Sequence, residues 1–397
     1  MRANPDKKRV VITGIGPVAP NGIGREKYWE ALKKGVSGVR RITRFDTSGY
    51  PFKLAGEIPD LDPTKYLEKK FVRRTDRATH LAAVATMLAL EDAKLELGEQ
   101  NTDEIDLIVG TALAGTEKYG ANLLEFVSSN KKRMNPFAAV NSYGDACSGR
   151  LASLFNIRGY VATVNMACAA GLQAIIEAHR RILYDETKLA IACGTDAPLL
   201  EEVVFAFSTA TALSTRLFKT PAPFDKNRDG LLLGEGAGAL ILEEYQHALN
   251  RKAPIYGEIM GYGNSADAAS VALGDDTGSG KVLAIRNALE SAQVSSGEVD
   301  YVNAHGPGTK KGDVAEAVAL KTIFGERSRT IPISSTKSML GHTQGACGAL
   351  ETIATLLSFK EGIIHPTINF EAKDEKCDIN CVPNVAIRKQ RVVWRQI

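Results

Sequence analysis

The chain has 397 residues, of which 44% are hydrophobic and 24% are charged, so it can bury one large core or two ordinary ones. Its formal net charge of +3 is too small to indicate a nucleic-acid partner. No apolar stretch reaches the ~18 to 20 residues that span a bilayer, and the N-terminus lacks the apolar core of a secretory signal. We therefore expect a soluble cytoplasmic protein without a membrane or nucleic-acid partner.

Short β-branched runs alternate with Ala-rich stretches whose apolar residues recur every three to four positions, a pattern typical of an α/β fold. The predicted strands, in chain order, are Val10–Thr13, Ile105–Gly110, Val161–Asn165, Ala190–Gly194, Leu240–Glu243, Val299–Asn303 and Ile331–Ser334. The predicted helices are His80–Lys94, Gly171–Tyr184, Lys281–Gln293 and Gly348–Lys360.

Two segments of the first half are echoed, in the same order, in the second half. ALEDAKL…DEIDLIVGTALAG is echoed by ALESAQVSSGEVDYVNAHG, and ACAAGLQAIIEAHRRI by ACGALETIATLLSFKEG. The period is too long for a solenoid. We predict two similar α/β halves, residues 1–250 and 251–397, whose loops meet at one site.

The six cysteines are spread along the chain, which argues against a secreted disulfide framework. Cys377 and Cys381 form one close pair without a second pair or a His cluster, so a surface loop is favoured over a zinc site. Cys168 differs, because VATVNMACAAGLQAI predicts a strand, a small-residue turn and a helix that begins beside the sulfur. A helix N-terminus favours a thiolate and can hold an oxyanion. A buried structural cysteine is the alternative from this segment alone.

Two histidines follow predicted strands in glycine-rich loops, His305 in VNAHGPGTKKGD and His342 in STKSMLGHTQGACGALE. The carboxyl ends of strands are where α/β sheets build their sites. Lys337 shares the second loop, where a solvated lysine is the alternative reading. The pairs Gly14-x-Gly16 and Gly261-x-Gly263 lack the third glycine of a dinucleotide-binding fingerprint and are predicted to be tight turns.

Beyond these readings, the chain resembles the β-ketoacyl-acyl-carrier-protein synthases of type II fatty acid synthesis, and most closely the synthase II group. The matching segments, in family order, are RVVITGIGPVAPNG, ACAAG, ALSTR, PFDKNRDGLLLGEGAGALILE, VDYVNAHG, STKSMLGHTQGACGALE and HPTINF…CDINCVPN. The resemblance implies the thiolase-like fold, with two βαβαβαββ halves in five αβαβα layers. It also implies a homodimer and chemistry that needs no metal or redox cofactor.

The resemblance assigns roles to individual residues. Cys168 would take the acyl group as a thioester, with its own N–H as an oxyanion donor. His305 and His342 would donate hydrogen bonds that stabilise the enolate formed as malonyl carrier protein loses carbon dioxide. Lys337 would tune the site by its charge and orient His342, and Glu351 would brace the loops. The reaction implied is decarboxylative condensation that elongates fatty acyl chains.

Further residues match the acyl pocket and the docking surface for the acidic acyl carrier protein. Leu113 and Phe137 match pocket positions, although core packing would explain them equally. The docking candidates are Lys69, Lys70, Arg73, Arg74, Lys131, Lys132, Arg133 and Arg216, with Arg77 in the same basic run. A solvated helix face is the alternative for any one cluster, and three clusters at family positions favour docking.

Two departures from the family pattern are visible. Pro307 replaces one of the two hydroxyl residues that would contact the phosphopantetheine arm and also removes an N–H, whereas Thr309 keeps the other hydroxyl. The sequence after VPN reads VAIRKQRVVWRQI, without the family's Asn-Ser-Phe-Gly-Phe-Gly-Gly loop. Since losing one oxyanion donor typically costs ~10²- to 10³-fold in rate, we expect a slower enzyme.

Two other functions are open from the sequence. One is a catalytically reduced subunit that binds carrier protein and sets chain length beside an active partner. The other is a coenzyme A-dependent thiolase, which is disfavoured because the second-half motif is Lys337-x-x-x-x-His342 and a distal cysteine nucleophile pattern is absent.

Overall fold

The structure is a computed structural model that describes residues 8–98, 102–113, 115–132, 134–269 and 274–389. The helices are α1 (Arg25–Lys33), α2 (Lys69–Arg74), α3 (Arg77–Asp92), α4 (Thr116–Ser128), α5 (Ala138–Asn141), α6 (Ala146–Phe155), α7 (Ala170–Leu183), α8 (Glu201–Thr209), α9 (Tyr245–Asn250), α10 (Ser279–Ala292), α11 (Gly312–Phe324), α12 (Lys337–Leu340) and α13 (Cys347–Glu361). The strands are β1 (Val10–Ala19), β2 (Gly22–Ile23), β3 (Val39–Arg41), β4 (Leu54–Gly56), β5 (Ile105–Gly110), β6 (Val161–Val164), β7 (Leu189–Asp196), β8 (Gly236–Glu244), β9 (Gly257–Glu258), β10 (Val302–Asn303), β11 (Ile333–Ser334), β12 (Ile363–Ile364) and β13 (Ile387–Arg388).

Each predicted strand and helix has a counterpart in the structure, and the boundaries differ by a few residues at most ends. β1 is the largest difference, because it continues to Ala19 through the GIGP segment, whose glycines and proline resemble a strand ending. β10 is shorter than predicted and covers only Val302 and Asn303.

The central sheet of the first half has the strand order β2-β1-β8-β7-β5-β6, and β9 also pairs with β1. β5 lies parallel to both β6 and β7, whereas β8 runs antiparallel to β1 and β7. β1, β5 and β7 are buried along their whole length, as expected of strands covered on both faces.

Alternate residues of this sheet face different helices. Ala190 and Ala192 of β7 pack in one core with α1, α7 and α13. Ile191 and Cys193 of the same strand pack in a second core with α3 and α6. The sheet is therefore covered by helices on both faces, and α7 and α13 form the middle layer of the molecule.

The second half continues the layers on the far side of α13. β10 and β11 form a parallel pair, and the Asn303 side chain donates to the Glu351 carbonyl oxygen of α13 at 3.0 Å. The next side chain toward the N-terminus, Val302, packs instead with Leu320 of α11. The resulting order is helix, sheet, helix, sheet, helix, as the sequence predicted.

The two glycine pairs are not the tight turns that were predicted. Gly14 and Gly16 lie inside β1, where an added Cβ would collide with the backbone of α3 at Ala89 and Ala85. Gly261 and Gly263 make the same kind of close approach to α10. Each pair therefore lets an extended segment pack closely on a helix, and the repetition of this contact agrees with the internal duplication.

Among the described residues, none of the helices combines the length and apolar character that crossing a lipid bilayer requires.

Candidate active site

Cys168 lies in a strained turn between β6 and α7. The turn is a 3₁₀ segment, Ala167–Ala169, and Ala167 has φ 47°. A left-handed conformation costs a non-glycine residue about 1–2 kcal/mol, so the surrounding packing holds this turn against its own preference. The side chain is half-buried. Burial raises the pKa of the Cys168 thiol, and the positive charge of Lys337 opposes that rise.

His305 lies in the loop that follows β10, and a half-buried carboxylate holds that loop. Glu316 of α11 accepts hydrogen bonds from the backbone N–H groups of His305 and Gly306, both at 2.7 Å. Sequence reasoning missed Glu316, because the pattern of α11 does not show which of its side chains turns back to the preceding loop. Burial, followed by the charge of Lys337, lowers the pKa of His305 well below its usual value.

His342 follows α12 and is held at its backbone and at its ring. Its backbone N–H donates to the Leu232 carbonyl oxygen at 2.6 Å, and its Nδ1 accepts from the Gln344 N–H at 3.0 Å. Because Nδ1 is an acceptor, the proton of the neutral ring is on Nε2. Burial, followed by the charge of Lys337, lowers the pKa of His342 to about 3, so this ring is neutral at physiological pH.

These three side chains from opposite halves of the chain converge. The Cys168 sulfur and the His305 and His342 ring nitrogens lie within 4.8 Å of one another. The ring centroids of the two histidines are 5.3 Å apart, with an angle of 80° between the planes. The Cys168 sulfur therefore lies near two neutral imidazoles, each of which has one N–H to donate.

A buried ion pair lies behind the histidines. The Lys337 ammonium donates to the Glu351 carboxylate, and their side chains are 2% and 12% exposed. Burial opposes the charge on Lys337, yet Cys347, Glu351 and Cys168 together raise its pKa above the ordinary value. Lys337 thus supplies a buried positive charge. The hydrogen bond to the His342 ring comes from the Gln344 N–H.

The two residues assigned to the acyl pocket, Leu113 and Phe137, have different surroundings in this chain. Leu113 lines a small cavity of about 10 Å³ together with α3 and the segment before α8. Phe137 lies 4.9 Å from the Arg74 guanidinium, measured to the ring centroid. Thr309 belongs to the His305 loop, and its backbone N–H donates to Asp313 at 3.2 Å.

Most of the basic candidates are exposed on the first half. Lys69, Lys70, Arg73 and Arg74 form the exposed positions of α2, and Lys131 and Lys132 are also exposed. Arg133 lies outside the described residues. Arg216 is half-buried, with its guanidinium 3.6 Å from the Glu371 carboxylate. Arg77 does not belong to this surface, because it forms a buried ion pair with Glu235 at 2.6 Å.

The Cys168, His305 and His342 atoms are also close enough to ligate a single metal ion, and thiolate with imidazole is a set that suits zinc. The same atoms carry the roles predicted for acyl transfer and hydrogen-bond donation. A reaction that needs no metal therefore stays a prediction.

Comparisons with known proteins agree with this geometry. Residues 7–248 match the beta-ketoacyl synthase N-terminal domain, and residues 256–371 match the beta-ketoacyl synthase C-terminal domain. A 3-oxoacyl-[acyl-carrier-protein] synthase 2 of Coxiella burnetii is 38% identical, over 96% of this chain and 93% of that protein. The chain belongs to the β-ketoacyl synthase family.

Solved structures give the same result. The ishigamide ketosynthase/chain length factor superposes with a TM-score of 0.89 at 35% identity, covering 96% of this chain and 94% of that chain. The AntDE:AntF complex, a type II PKS acyl-carrier protein with its ketosynthase bound to the hexaketide, superposes with a TM-score of 0.87 at 30% identity. That match covers 97% of this chain and 94% of the other chain. The thiolase-like fold predicted from the sequence is confirmed.

Proposed function

We propose that the protein is a β-ketoacyl-acyl-carrier-protein synthase that elongates fatty acyl chains by decarboxylative condensation. The observation that carries this proposal is the convergence of a helix-terminal thiol with two neutral imidazole N–H donors inside 4.8 Å. The names of the curated relatives, 3-oxoacyl-[acyl-carrier-protein] synthase 2, support the same reaction.

The first half-reaction uses Cys168. Its thiolate attacks the thioester carbonyl of an acyl carrier protein, the carrier thiol leaves with a proton, and the acyl group remains on the sulfur. The helix N-terminus favours the thiolate, and the Cys168 N–H is placed to stabilise the tetrahedral oxyanion.

The second half-reaction uses the histidines. The malonyl thioester carbonyl accepts hydrogen bonds from His305 and His342, so when the C–C bond to the carboxylate breaks and carbon dioxide leaves, the electron pair forms a stabilised enolate. The enolate carbon attacks the acyl-Cys168 carbonyl, and the sulfur leaves as thiolate. The product is a 3-oxoacyl carrier protein two carbons longer. Lys337 contributes by keeping both rings neutral, because an imidazolium beside a buried ammonium is disfavoured.

The acyl carrier protein is the proposed partner, and the basic residues of α2 with Lys131, Lys132 and Arg216 are its proposed docking surface. The AntDE:AntF structure, in which a ketosynthase binds an acyl-carrier protein, supports the class of partner. Leu113, Phe137, Thr309 and Glu351 keep their proposed roles at the pocket, the carrier arm and the loops.

A homodimer and a cytoplasmic location complete the proposal. Support for the dimer comes from α4, where Tyr119, Leu123, Leu124 and Val127 are 47% to 73% exposed. β6 lies at the end of the sheet order, beside the exposed Met166. Exposed apolar side chains in such number mark an interaction surface. Light scattering is expected to give twice the chain mass, and Leu124→Glu is expected to lower it.

The decisive experiment incubates the protein with acyl carrier protein and then with malonyl carrier protein. Mass spectrometry is expected to find the acyl group on Cys168, followed by carbon dioxide release and a lengthened product. Unacylated Cys168 together with intact carrier-protein binding would instead support the reduced subunit. The expectation of a slower enzyme concerns the sequence after Lys389, which lies outside the described residues.

A further inference from the structure

Asp196 is a fully buried carboxylate for which the sequence analysis predicts no role. It is the last residue of β7, and its side chain accepts hydrogen bonds from both halves of the chain. Oδ1 accepts from Thr111 Oγ1 at 2.7 Å and from the Leu113 N–H at 3.0 Å. Oδ2 accepts from the Ala112 N–H at 2.8 Å and from the Gly345 N–H at 2.6 Å.

The two backbone segments that meet at Asp196 are both part of the candidate site. Residues 111–113 follow β5 and include Leu113 of the predicted acyl pocket. The second segment, Gln344–Ala346, is the 3₁₀ turn between His342 and α13. It lies against the end of β7 so closely that a Cβ on Gly345 would be 2.7 Å from Asp196 Oδ2, and one on Gly194 would be 2.7 Å from the Gly345 carbonyl oxygen.

The contact with Gly345 leads directly to the His342 ring. Gln344 has φ 50°, a left-handed conformation that costs a non-glycine residue about 1–2 kcal/mol, so this turn needs an external contact to hold it. The Gly345 N–H belongs to the peptide group on the C-terminal side of Gln344, and Asp196 fixes that group. The N–H on the other side of Gln344 donates to His342 Nδ1 at 3.0 Å.

We propose that Asp196 is a positioning residue that fixes the tautomer and orientation of His342 by holding the strained Gln344 turn. This inference rests on the proposed condensation and names a residue that enforces one of its geometric requirements. The carboxylate is suited to the task because it can accept four hydrogen bonds, whereas an amide of the same size accepts at one oxygen only.

The test compares Asp196→Asn with a matched control. In Asp196→Asn an NH₂ group faces two of the four donors, so the turn loosens. We expect malonyl decarboxylation to fall by about 10- to 100-fold, the usual effect of removing a partner that orients a catalytic histidine. Alkylation of Cys168 by iodoacetamide, which does not use His342, is expected to change by less than about five-fold, the factor that corresponds to one hydrogen bond of ~1 kcal/mol.

The control is Asp106→Asn. Asp106 is also a buried carboxylate of the same sheet, and it accepts from the Tyr160 N–H at 2.9 Å and from the Arg181 guanidinium at 2.5 Å. It lies near the opposite end of β5 from residues 111–113. This variant is expected to lose stability while the decarboxylation rate of its folded fraction stays within two-fold of the wild type, a bound below the effect of one ~1 kcal/mol hydrogen bond.

A spectroscopic readout separates positioning from a general structural effect. Long-range ¹H–¹⁵N correlation of histidine-labelled protein, assigned with His342→Asn, is expected to show protonated Nε2 in the wild type and a tautomer mixture in Asp196→Asn. Wild-type decarboxylation in Asp196→Asn, or an unchanged tautomer despite a lost rate, would overturn the inference. If the wild type shows the tautomer but no decarboxylation, the proposed function fails and the positioning role stands.

A milder variant keeps the test valid if Asp196→Asn does not fold. Thr111→Val removes one donor to Oδ1 and leaves the carboxylate and its other three contacts in place. We expect a decarboxylation loss of roughly five-fold, in line with one hydrogen bond of ~1 kcal/mol. A wild-type rate and a wild-type tautomer in a folded Thr111→Val would contradict the inference.

Discussion

The same short motif opens a helix in both halves of the molecule, yet it gives two very different cysteines. Cys168 precedes α7 in a strained turn and is half-buried, whereas Cys347 is the first residue of α13 and is 3% exposed. The Cys347 thiol donates to the Cys168 carbonyl oxygen at 3.2 Å. Burial raises the pKa of Cys347 well above its usual value. Both helices therefore begin after a left-handed residue, Ala167 or Gln344. The two cysteines differ because Cys168 follows its left-handed residue directly and is the more accessible of the two.

The largest expected effect tests this division between the cysteines. Cys168→Ala is expected to abolish acyl transfer and condensation, a loss of at least ~10⁴-fold for a removed nucleophile, while malonyl decarboxylation continues because the histidines remain. Cys347→Ala removes one weak hydrogen bond and is expected to lower condensation by roughly two- to ten-fold. Mass spectrometry of the acyl-enzyme and carbon dioxide release measure both variants. Loss of decarboxylation in Cys168→Ala would contradict the separate roles.

A second prediction concerns the buried ion pair of Lys337 and Glu351. Lys337→Met leaves the Glu351 carboxylate buried without its cation, and breaking a buried pair costs about 3–5 kcal/mol. We expect that loss in the free energy of unfolding, measured by urea denaturation. The double variant Lys337→Met/Glu351→Gln is expected to recover most of it, because no unpaired charge remains. A single variant as stable as the wild type would show that the pair does not brace the loops.

The two halves are also expected to respond differently to pH. Because burial raises the pKa of the Cys168 thiol, acylation is expected to accelerate as pH rises from 7 to 9. Decarboxylation is expected to stay flat between pH 7 and 8, since burial and the charge of Lys337 lower the pKa of both histidines, that of His342 to about 3. Below pH 7 it is expected to fall, because burial raises the pKa of Asp196 to about 6 and protonation weakens its hold on the Gln344 turn. Rapid-quench acylation and carbon dioxide release measure the two profiles, and a decarboxylation step near pH 6.5 that persists in Asp196→Asn would contradict neutral rings.

The low pKa of His342 also predicts how the free energy of unfolding changes with pH. His342 has a pKa of about 3 in the folded protein, whereas a free histidine has one near 6.5. As pH falls through 6.5, the unfolded chain binds protons that the folded chain does not, so the free energy of unfolding falls. His342→Asn is expected to flatten this decline between pH 6.5 and 4, as measured by thermal unfolding in a pH series.

Whether a feature could be predicted from the sequence depends on how far apart in the chain its interacting residues lie. The strand before Cys168 and the helix after it are local patterns, and both were predictable. Glu316, Asp196 and the Gln344 N–H act across the loops that the fold brings together, and no spacing in the chain marks them. The glycine pairs show the same limit, because each packs against a helix that is distant in the sequence but adjacent in space. The boundary near residue 250 stays a prediction.

The smallest expected effect concerns docking of the acyl carrier protein. It tests a difference between the halves, because all the basic docking candidates belong to the first half. Charge reversal in Lys69→Glu/Lys70→Glu is expected to raise KM for acyl carrier protein by roughly three- to ten-fold at low salt, with about 1 kcal/mol or less per exposed charge. The effect should shrink as salt rises, because exposed charges are screened over about 8 Å at physiological ionic strength. The matched control is Lys34→Glu/Lys252→Glu, which reverses the same number of charges on two exposed lysines outside α2 and should leave KM unchanged. Equal effects from both sites would mean that net charge, rather than the α2 surface, attracts the carrier protein; a normal KM in the α2 variant with unaltered salt dependence would place docking elsewhere.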